Sequence, residues 1–521
     1  MRNRRGPSRR SFLSGTSSAL AMGVAMPAIS FAETRPVLSH GVQSGDPSVG
    51  SGVVWTRADR PARVRFEIAT SDSFRDILRA VTLDALPETD FAVKALVDGL
   101  PAGQDIFYRA TPFDLAFPSM AGAPVIGRFR SAPLDRRSIS FVWSGDTVGQ
   151  GWGIDEARGG MRCYATMAKH RPDFFIHSGD TIYADGPIVA EVKLPDGGVW
   201  KNIVTEEKSK VAETLAEFRG NYKYNLLDRN VLALNAQVPM LAQWDDHEVM
   251  NNWSPSKSVM DDKRYTEKNV ALMSARAARA FHEYMPIAAT PQEAGRVYRK
   301  VAYGPLLDVF FLDMRTYRGP NGDNTETEEG PLSAFLGPEQ LAWLKRELKA
   351  SRATWKVIAA DMPLSLVVFN DAALSKGSEA VAQGDGKSLG RELEFANLLS
   401  FIKREAIRNT VWLTADVHYT SAHYYNPDKA QFQDFEPFWE FVSGPVHAGS
   451  FGPNDLDNTF GPELRYYKGP KAGEAQNQSP ALGLQFFGHV AIDGPSEVMT
   501  VTLRDVEDAE LFQVKLEPKQ G

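Results

Sequence analysis

Five apolar runs in this chain each end on an aspartate: ISFVWSG before Asp146, DFFIHSG before Asp180, PMLAQWD before Asp246, WKVIAA before Asp361 and VWLTA before Asp416. Runs this short, rich in Val, Ile, Phe and Trp, suit strands buried on both faces of an α/β sheet. In such sheets the carboxyl ends of neighbouring strands converge on one crevice, where ligands bind. Carboxylates gathered at one rim repel each other. Each one left partly dry costs on the order of several kcal/mol unless a cation neutralises it. The pattern predicts a metal cluster.

The flanking residues sharpen that expectation. Tyr183 follows Asp180 by three positions, His247 and Glu248 follow Asp246, and His418 follows Asp416 by two. Oxygen-rich ligands with an imidazole and a phenol suit a hard cation such as Fe(III), Mn, Mg or Ca, and not a thiolate zinc site. Taken singly, an aspartate at a strand end is better explained as a turn or helix-cap residue. Five in series, two with histidine close by, favour the cluster.

The blocks SGDTVGQGWG (144–153), HSGDTIYADGP (177–187), WDDHEVMNNW (244–253), LDMRTYR (312–318) and TADVHYTSAH (414–423) resemble the PhoD-like alkaline phosphatases. These belong to the calcineurin-like and purple-acid-phosphatase-like metallophosphoesterases. The resemblance runs in order through almost the whole chain beyond its leader, and WDDHE followed by NNW is its most specific block. It implies that Asp146, Asp180, Tyr183 and His418 hold a ferric ion. It also implies that Asp180 bridges to a second metal site built with Asp246 and Asp416 and joined by Asp361. The second ion would be Ca(II) or another divalent metal, Mn and Zn included. His247 takes the place where relatives keep a histidine that does not bind metal, so it is expected to be the catalytic proton donor or oxyanion stabiliser. The sequence departs from the family pattern twice. Asp146 stands where PhoD-like enzymes often carry cysteine, as it does in purple acid phosphatases and in a phospholipase D-like branch. Asp361 stands where purple acid phosphatases place histidine.

Residues 1–32 read as an address. Arg9-Arg10 is followed by Ser-Phe-Leu, then by an apolar stretch from Ala19 to Ile29 and small residues at Ser30-Phe-Ala32. This is a secretory signal of twin-arginine type, too short and wrongly flanked for a membrane span. It predicts a periplasmic or secreted protein, with the twin-arginine export machinery as a partner. No later run of 18 apolar residues suggests a transmembrane helix. Removing the signal's five arginines takes the net charge from −7 to −12, which does not suit a nucleic-acid binder. Cys163 is the sole cysteine, so no internal disulfide forms, and it reads as a small buried hydrophobe.

The remaining length exceeds what one core usually organises. Residues 36–135 carry alternating or aromatic runs (GVVWTRA, ARVRFEIAT, FAVKALVDGL, DIFYRATP) separated by turn residues, the pattern of a small β-sandwich. LVDGLPAGQDIFYRA resembles the later strands of a fibronectin-like sandwich, as in the amino-terminal domains of PhoD-like proteins. From 138 to 521, strands alternate with helical patterns, as in a layered α/β domain with β-sheets flanked by helices. The tail EVMTVTLRDVEDAELFQVKLEP adds an antiparallel pair.

GDGKS at 384–388 mimics the end of a phosphate-binding loop but follows no strand and lacks the first glycine, so it reads as a surface loop. His423 and His447 are equally well explained as packed residues or as substrate-pocket groups, and Arg315 is left between phosphate and a carboxylate partner. The whole predicts an exported metallophosphoesterase acting on a small phosphate mono- or diester or a phospholipid. Its metals would hold the phosphate oxygens and activate a water for in-line attack at phosphorus. The alternatives are a phospholipase D-like phosphodiesterase and a non-catalytic surface protein stapled by metals.

Overall fold

Three of the five aspartate runs are buried along their whole strand and the other two are so except at Ser140 and Thr410, so the structure must cover both faces of each. The computed structural model, which describes residues 35–289 and 293–519, does this with two face-to-face sheets and outer helices. The signal segment read at 1–32 lies outside the described residues. In a nine-stranded sheet, Ile139–Ser144, Phe174–Ser178 and Met240–Gln243 run parallel and side by side. In a seven-stranded sheet, Leu307–Phe311, Trp355–Ala359, Thr410–Thr414 and Phe438–Val442 are parallel neighbours. The aspartate strands are therefore divided between two sheets, not carried on one.

Side chains alternate across each strand, which is why both faces need apolar residues. Phe141, Trp143, Phe174, Ile176 and Leu241 point between the sheets, against Val309, Val357, Ala359 and Leu413 of the other. The intervening Val142, Phe175 and Ala242 face outward instead, into a core shared with helices Arg162–Lys169, Leu215–Asn225, Arg229–Asn235 and Val270–Tyr284. On the far side, Phe310, Ile358 and Trp412 meet helices Pro338–Ala350 and Glu392–Arg404. The Trp143 indole donates to the Thr414 carbonyl at 3.3 Å, pinning one sheet to the other close to the aspartate rim.

The segment TLAEFRGNYKYNLLDRNVLALN (214–235), one of the helical patterns of the α/β region, forms two helices and not one. Asp228 interrupts it and accepts from the amides of Asn230 and Val231 at 2.8 and 3.1 Å, an N-cap that starts the second helix. The tail forms the expected hairpin, Met499–Asp505 with Glu510–Leu516, at one edge of the nine-stranded sheet.

At the other edge the amino-terminal strands join in. Val42–Gly45 pairs with Met240–Gln243 through Gly45 and Met240, and Gly52–Arg57 and Ala92–Val97 follow. These three cover a four-stranded sheet (Arg79–Ala85, Ala62–Ala69, Asp105–Asp114, Val125–Arg130) over a core of Val54, Val64, Phe66, Ile68, Ile106 and Phe129. One layer of the amino-terminal sandwich thus continues the central sheet. The buried Asp46–Arg299 pair, 2.7 Å, reinforces that junction.

Candidate metal centre

Beyond the strand ends the chain turns sharply, and the turns aim the carboxylates. Asp146, Asp180 and Asp416 adopt left-handed backbone with φ of 68°, 50° and 64°, and His418 does so at 61°. This region costs a non-glycine residue roughly 1 kcal/mol or more, and aspartate tolerates it better than most. Strain repeated at three strand ends and at the histidine marks a constructed site. Three groups of ligand atoms result, each within 4.8 Å: Asp146, Asp180 and His418; Asp180, Asp246 and His247; and Asp245, Asp246 and Asp416. Asp180 belongs to the first two groups and Asp246 to the last two.

These carboxylates are dry. Asp146, Asp180, Asp361 and Asp416 are each pushed well above the ordinary carboxylate range, first by burial and then by a neighbouring carboxylate. Both oxygens of Asp146, Oδ1 of Asp246 and Oδ1 of Asp361 are buried without a hydrogen-bond partner. Native proteins leave few such atoms. Hard oxygen donors left unsatisfied beside like charges fit a bound cation, and the all-oxygen and imidazole donor set fits a hard one.

His418 is prepared as a ligand. Its Nδ1–H donates to the Gly449 carbonyl, which fixes the tautomer and turns the Nε2 lone pair toward the site. Burial lowers its pKa to about 4, so the ring is neutral. The Tyr183 hydroxyl meets that Nε2 at 2.7 Å. Gly149 lies flat on the Tyr183 ring, where a Cβ would come within 2.7 Å of it. Buried Lys208 donates to the Tyr183 carbonyl at 2.6 Å and to Asn221 Oδ1 at 2.8 Å, fixing the loop from below.

Asp361 is paired with a guanidinium. Its Oδ2 accepts from Arg315 Nε at 3.2 Å, and among the described residues no three-residue group includes it. Arg315 is fully buried and also pairs with Asp245, with Glu379 and, at 3.5 Å, with Asp416. It is thus a fixed internal cation among the carboxylates, and phosphate has no access to it. Asp245 was not picked out from the sequence, where it reads as the polar end of the QWD run; the doubled Asp of WDDHE was the available signal. We predict that Arg315→Leu destabilises the fold by about 3–5 kcal/mol, because it strands three buried carboxylates. Thermal unfolding checks this; a melting temperature equal to wild type would refute it.

His247 is held as an acid. Its Nδ1 contacts Asp185 Oδ1 at 2.6 Å, and Asp185 Oδ2 accepts from the Asn251 amide at 2.9 Å. Burial lowers the imidazole pKa, but Asp185 and then Asp246 outweigh it and raise the value to about 9. The ring lies 4.3 Å from that of Tyr183, and the His247 amide donates to Asp180 Oδ1 at 3.2 Å. Glu248 braces the loops by accepting from the Thr181 amide and hydroxyl, both at 2.6 Å, and from the Asp245 amide at 2.8 Å. The Asn252 amide donates to Asp246 Oδ2. Asp185 and Asn252 were not singled out from the sequence, and Glu248, noted there only as a neighbour of Asp246, proves to be a brace, because only the fold brings these partners together.

The other histidines are packed. His423 pairs with Glu440 at 2.9 Å, and His447 contacts the Gly153 carbonyl at 2.9 Å. GDGKS is a surface loop whose Gly384 and Gly386 amides are taken by Asp457 at 2.7 and 3.2 Å. Cys163 is buried, and burial pushes its thiol pKa up.

The sequence profile of the PhoD-like phosphatase family matches residues 141–503, and that of the PhoD-like phosphatase N-terminal domain matches 23–133. The chain belongs to the PhoD-like phosphatase family. It is 28% identical over 439 residues to alkaline phosphatase D of Bacillus subtilis (strain 168), covering 80% of this chain and 71% of that protein. A solved structure of PhoD shares its fold, with a TM-score of 0.66 and 22% identity over 92% of this chain and 89% of that one. So does a purple acid phosphatase from yellow lupin (Lupinus luteus) seeds, with a TM-score of 0.55 and 10% identity over 93% and 74% of the two chains. Family membership makes this PhoD-like chain a phosphoesterase. Among its described residues, no helix is long and apolar enough to cross a membrane.

Proposed function

We propose that the chain is an exported two-metal phosphoesterase of alkaline phosphatase D type. The observation that carries this is the linked set of three ligand groups, shared through Asp180 and Asp246, with buried carboxylate oxygens that have no partner in the protein. Asp146, Asp180, Tyr183 and His418 would hold Fe(III), and Asp180, Asp246 and Asp416 a second ion, Ca(II) or another divalent metal. Asp361 stands beside that second site with Arg315. When bound, the metals supply positive charge for the phosphate oxygens and acidify a water nucleophile.

The chain's own residues complete the chemistry. Asp185 holds the Nδ1 side of His247 and keeps the ring protonated, which leaves the Nε2–H to deliver a proton to the leaving oxygen. Arg315 limits repulsion among the carboxylates without occupying the substrate's place. Residues 36–135 serve as a scaffold that extends the central sheet, and 138–521 form the catalytic domain. The twin-arginine export reading rests on residues 1–32.

The metal-loaded protein should hydrolyse p-nitrophenyl phosphate, its bis ester, or both, and comparing those rates with phosphatidylcholine assigns the substrate class. Faster turnover of the bis ester or the phospholipid identifies the phospholipase D-like alternative. Bound metal with no hydrolysis of any of the three, from acid to alkaline pH, would replace the enzyme reading with a metal-stapled surface protein.

Tyr183 reports on the metal. A phenol of pKa near 10 is a poor ligand for Ca or Mg. Here burial, followed by Asp180 and Asp146, raises the Tyr183 pKa further, so a strongly polarising cation is needed to make phenolate. We predict that the oxidised, iron-loaded protein absorbs visible light and that Tyr183→Phe bleaches it without unfolding. An unchanged spectrum in the Phe variant would remove Tyr183 from the ligand set. A colourless wild type containing only Mn, Zn or Ca would retire the ferric assignment alone.

A further inference from the structure

Helix Glu392–Arg404 starts at Arg391, whose side chain is 1% exposed. Three things oppose a cation there. A helix start is the positive end of its dipole, water is excluded, and Arg318 adds like-charge repulsion. Burial and then Arg318 lower the Arg391 pKa well below the ordinary arginine value. Among the described residues its guanidinium donates to neutral oxygens alone, and its Nε makes no hydrogen bond. A buried charge without a carboxylate partner is costly to keep.

Its bonds tie two loops together. Nη1 donates to the Ser378, Glu379 and Ala380 carbonyls at 3.1, 2.8 and 2.9 Å. Nη2 donates to the Pro320 carbonyl at 3.0 Å and to Asn321 Oδ1 at 2.8 Å. Each loop then reaches the second ligand group. On one, the Glu379 carboxylate pairs with Arg315, which pairs with Asp245, Asp361 and Asp416. On the other, Asn321 Nδ2 donates to the Asn252 carbonyl at 3.2 Å, and the Asn252 amide donates to Asp246 Oδ2. Asn370 closes this route, accepting from Asn321 at 3.1 Å and from Asn252 Nδ2 at 2.8 Å. One guanidinium thus stands behind Asp245, Asp246 and Asp416, the whole of the third ligand group. The first group is fastened elsewhere, His418 by the Gly449 carbonyl and Asp146 by the His447 amide at 3.0 Å.

Taking the two-metal reading above as given, we propose that Arg391 is a positioning residue for the second metal ion. It acts through Glu379 and Arg315 on one side and through Asn321 and Asn252 on the other. The planar fork is what the position requires, because two nitrogens fixed relative to each other hold two loops in register. The single ammonium of a lysine can serve one loop at a time.

The test is calorimetric titration of the iron-loaded full chain with Ca(II), and with Mn(II) as a second probe. Asn321→Ala cuts one route at a half-buried residue, and Arg391→Lys keeps the charge but loses the fork. Both should weaken the divalent ion by about 10–100-fold, the range for losing a group that orients metal ligands, while iron content stays at the wild-type level. The metal-free melting temperature of Asn321→Ala should match wild type, which separates a lost link to the metal site from a loosened fold. Divalent affinity equal to wild type in both folded variants overturns the proposal, as does an equal loss of iron and the divalent ion. A wild type that takes up no divalent ion beside its iron would overturn the two-metal reading itself, and this role with it.

Discussion

Asp180→Asn is expected to abolish phosphate ester hydrolysis and to lower the bound content of both metals. Asp180 is one of two residues shared between ligand groups, contributing with Asp146 and His418 on one side and with Asp246 and His247 on the other. Replacing one carboxylate oxygen by an amide removes a negative charge from both sites at once but keeps the side chain's volume. Its Oδ1 also accepts from the His247 amide at 3.2 Å, a bond that asparagine can retain, so the fold should survive. Losing the metals removes several kcal/mol of transition-state stabilisation, a fall in turnover of at least about 10³-fold. Metal analysis of the purified variant beside its kinetics decides the matter. Wild-type metal content together with wild-type turnover would dismantle the cluster assignment.

The second large effect is at His247. His247→Ala should lower kcat by roughly 10²–10⁴-fold, the range for a positioned general acid, while both metals stay bound. The leaving group separates this role from a structural one. A poor leaving group such as an alkoxide needs the proton far more than p-nitrophenolate does, so the loss should be larger for an alkyl phosphate than for p-nitrophenyl phosphate. Equal losses on both would point to a positioning role. Loss of metal with activity would make His247 a ligand, as its place in the second group would permit.

Much of the centre was legible because burial and alternation are properties of chain neighbours. A run such as ISFVWSG has to be a strand with both faces covered. An aspartate just past its end has to sit at a sheet rim, and Asp146, Asp180, Asp246 and Asp416 do meet there. The helix Val270–Tyr284 was harder to read. It buries Val270, Met273, Ala277, Ala280, Phe281 and Tyr284 at helical spacing, but its alanine-rich composition blurs the contrast between faces.

Only the tertiary structure decided what each carboxylate meets. Nothing local says that the five aspartate strands divide between two sheets, because strand partners are chosen by packing across long stretches of chain, as when Trp143 reaches Thr414. Nor does the sequence show that the amino-terminal strands extend the nine-stranded sheet through Gly45 and Met240. Arg315 is one basic residue in an ordinary block until folding buries it against Asp245, Asp361 and Glu379. Asp185 becomes the partner of His247 only when two distant loops share a rim. The chain's local pattern determines which residues are strands and which carboxylates end them. Whether a carboxylate faces a metal, a guanidinium or an imidazole is settled by three-dimensional placement, because charge pairing acts through space and strengthens as water is excluded.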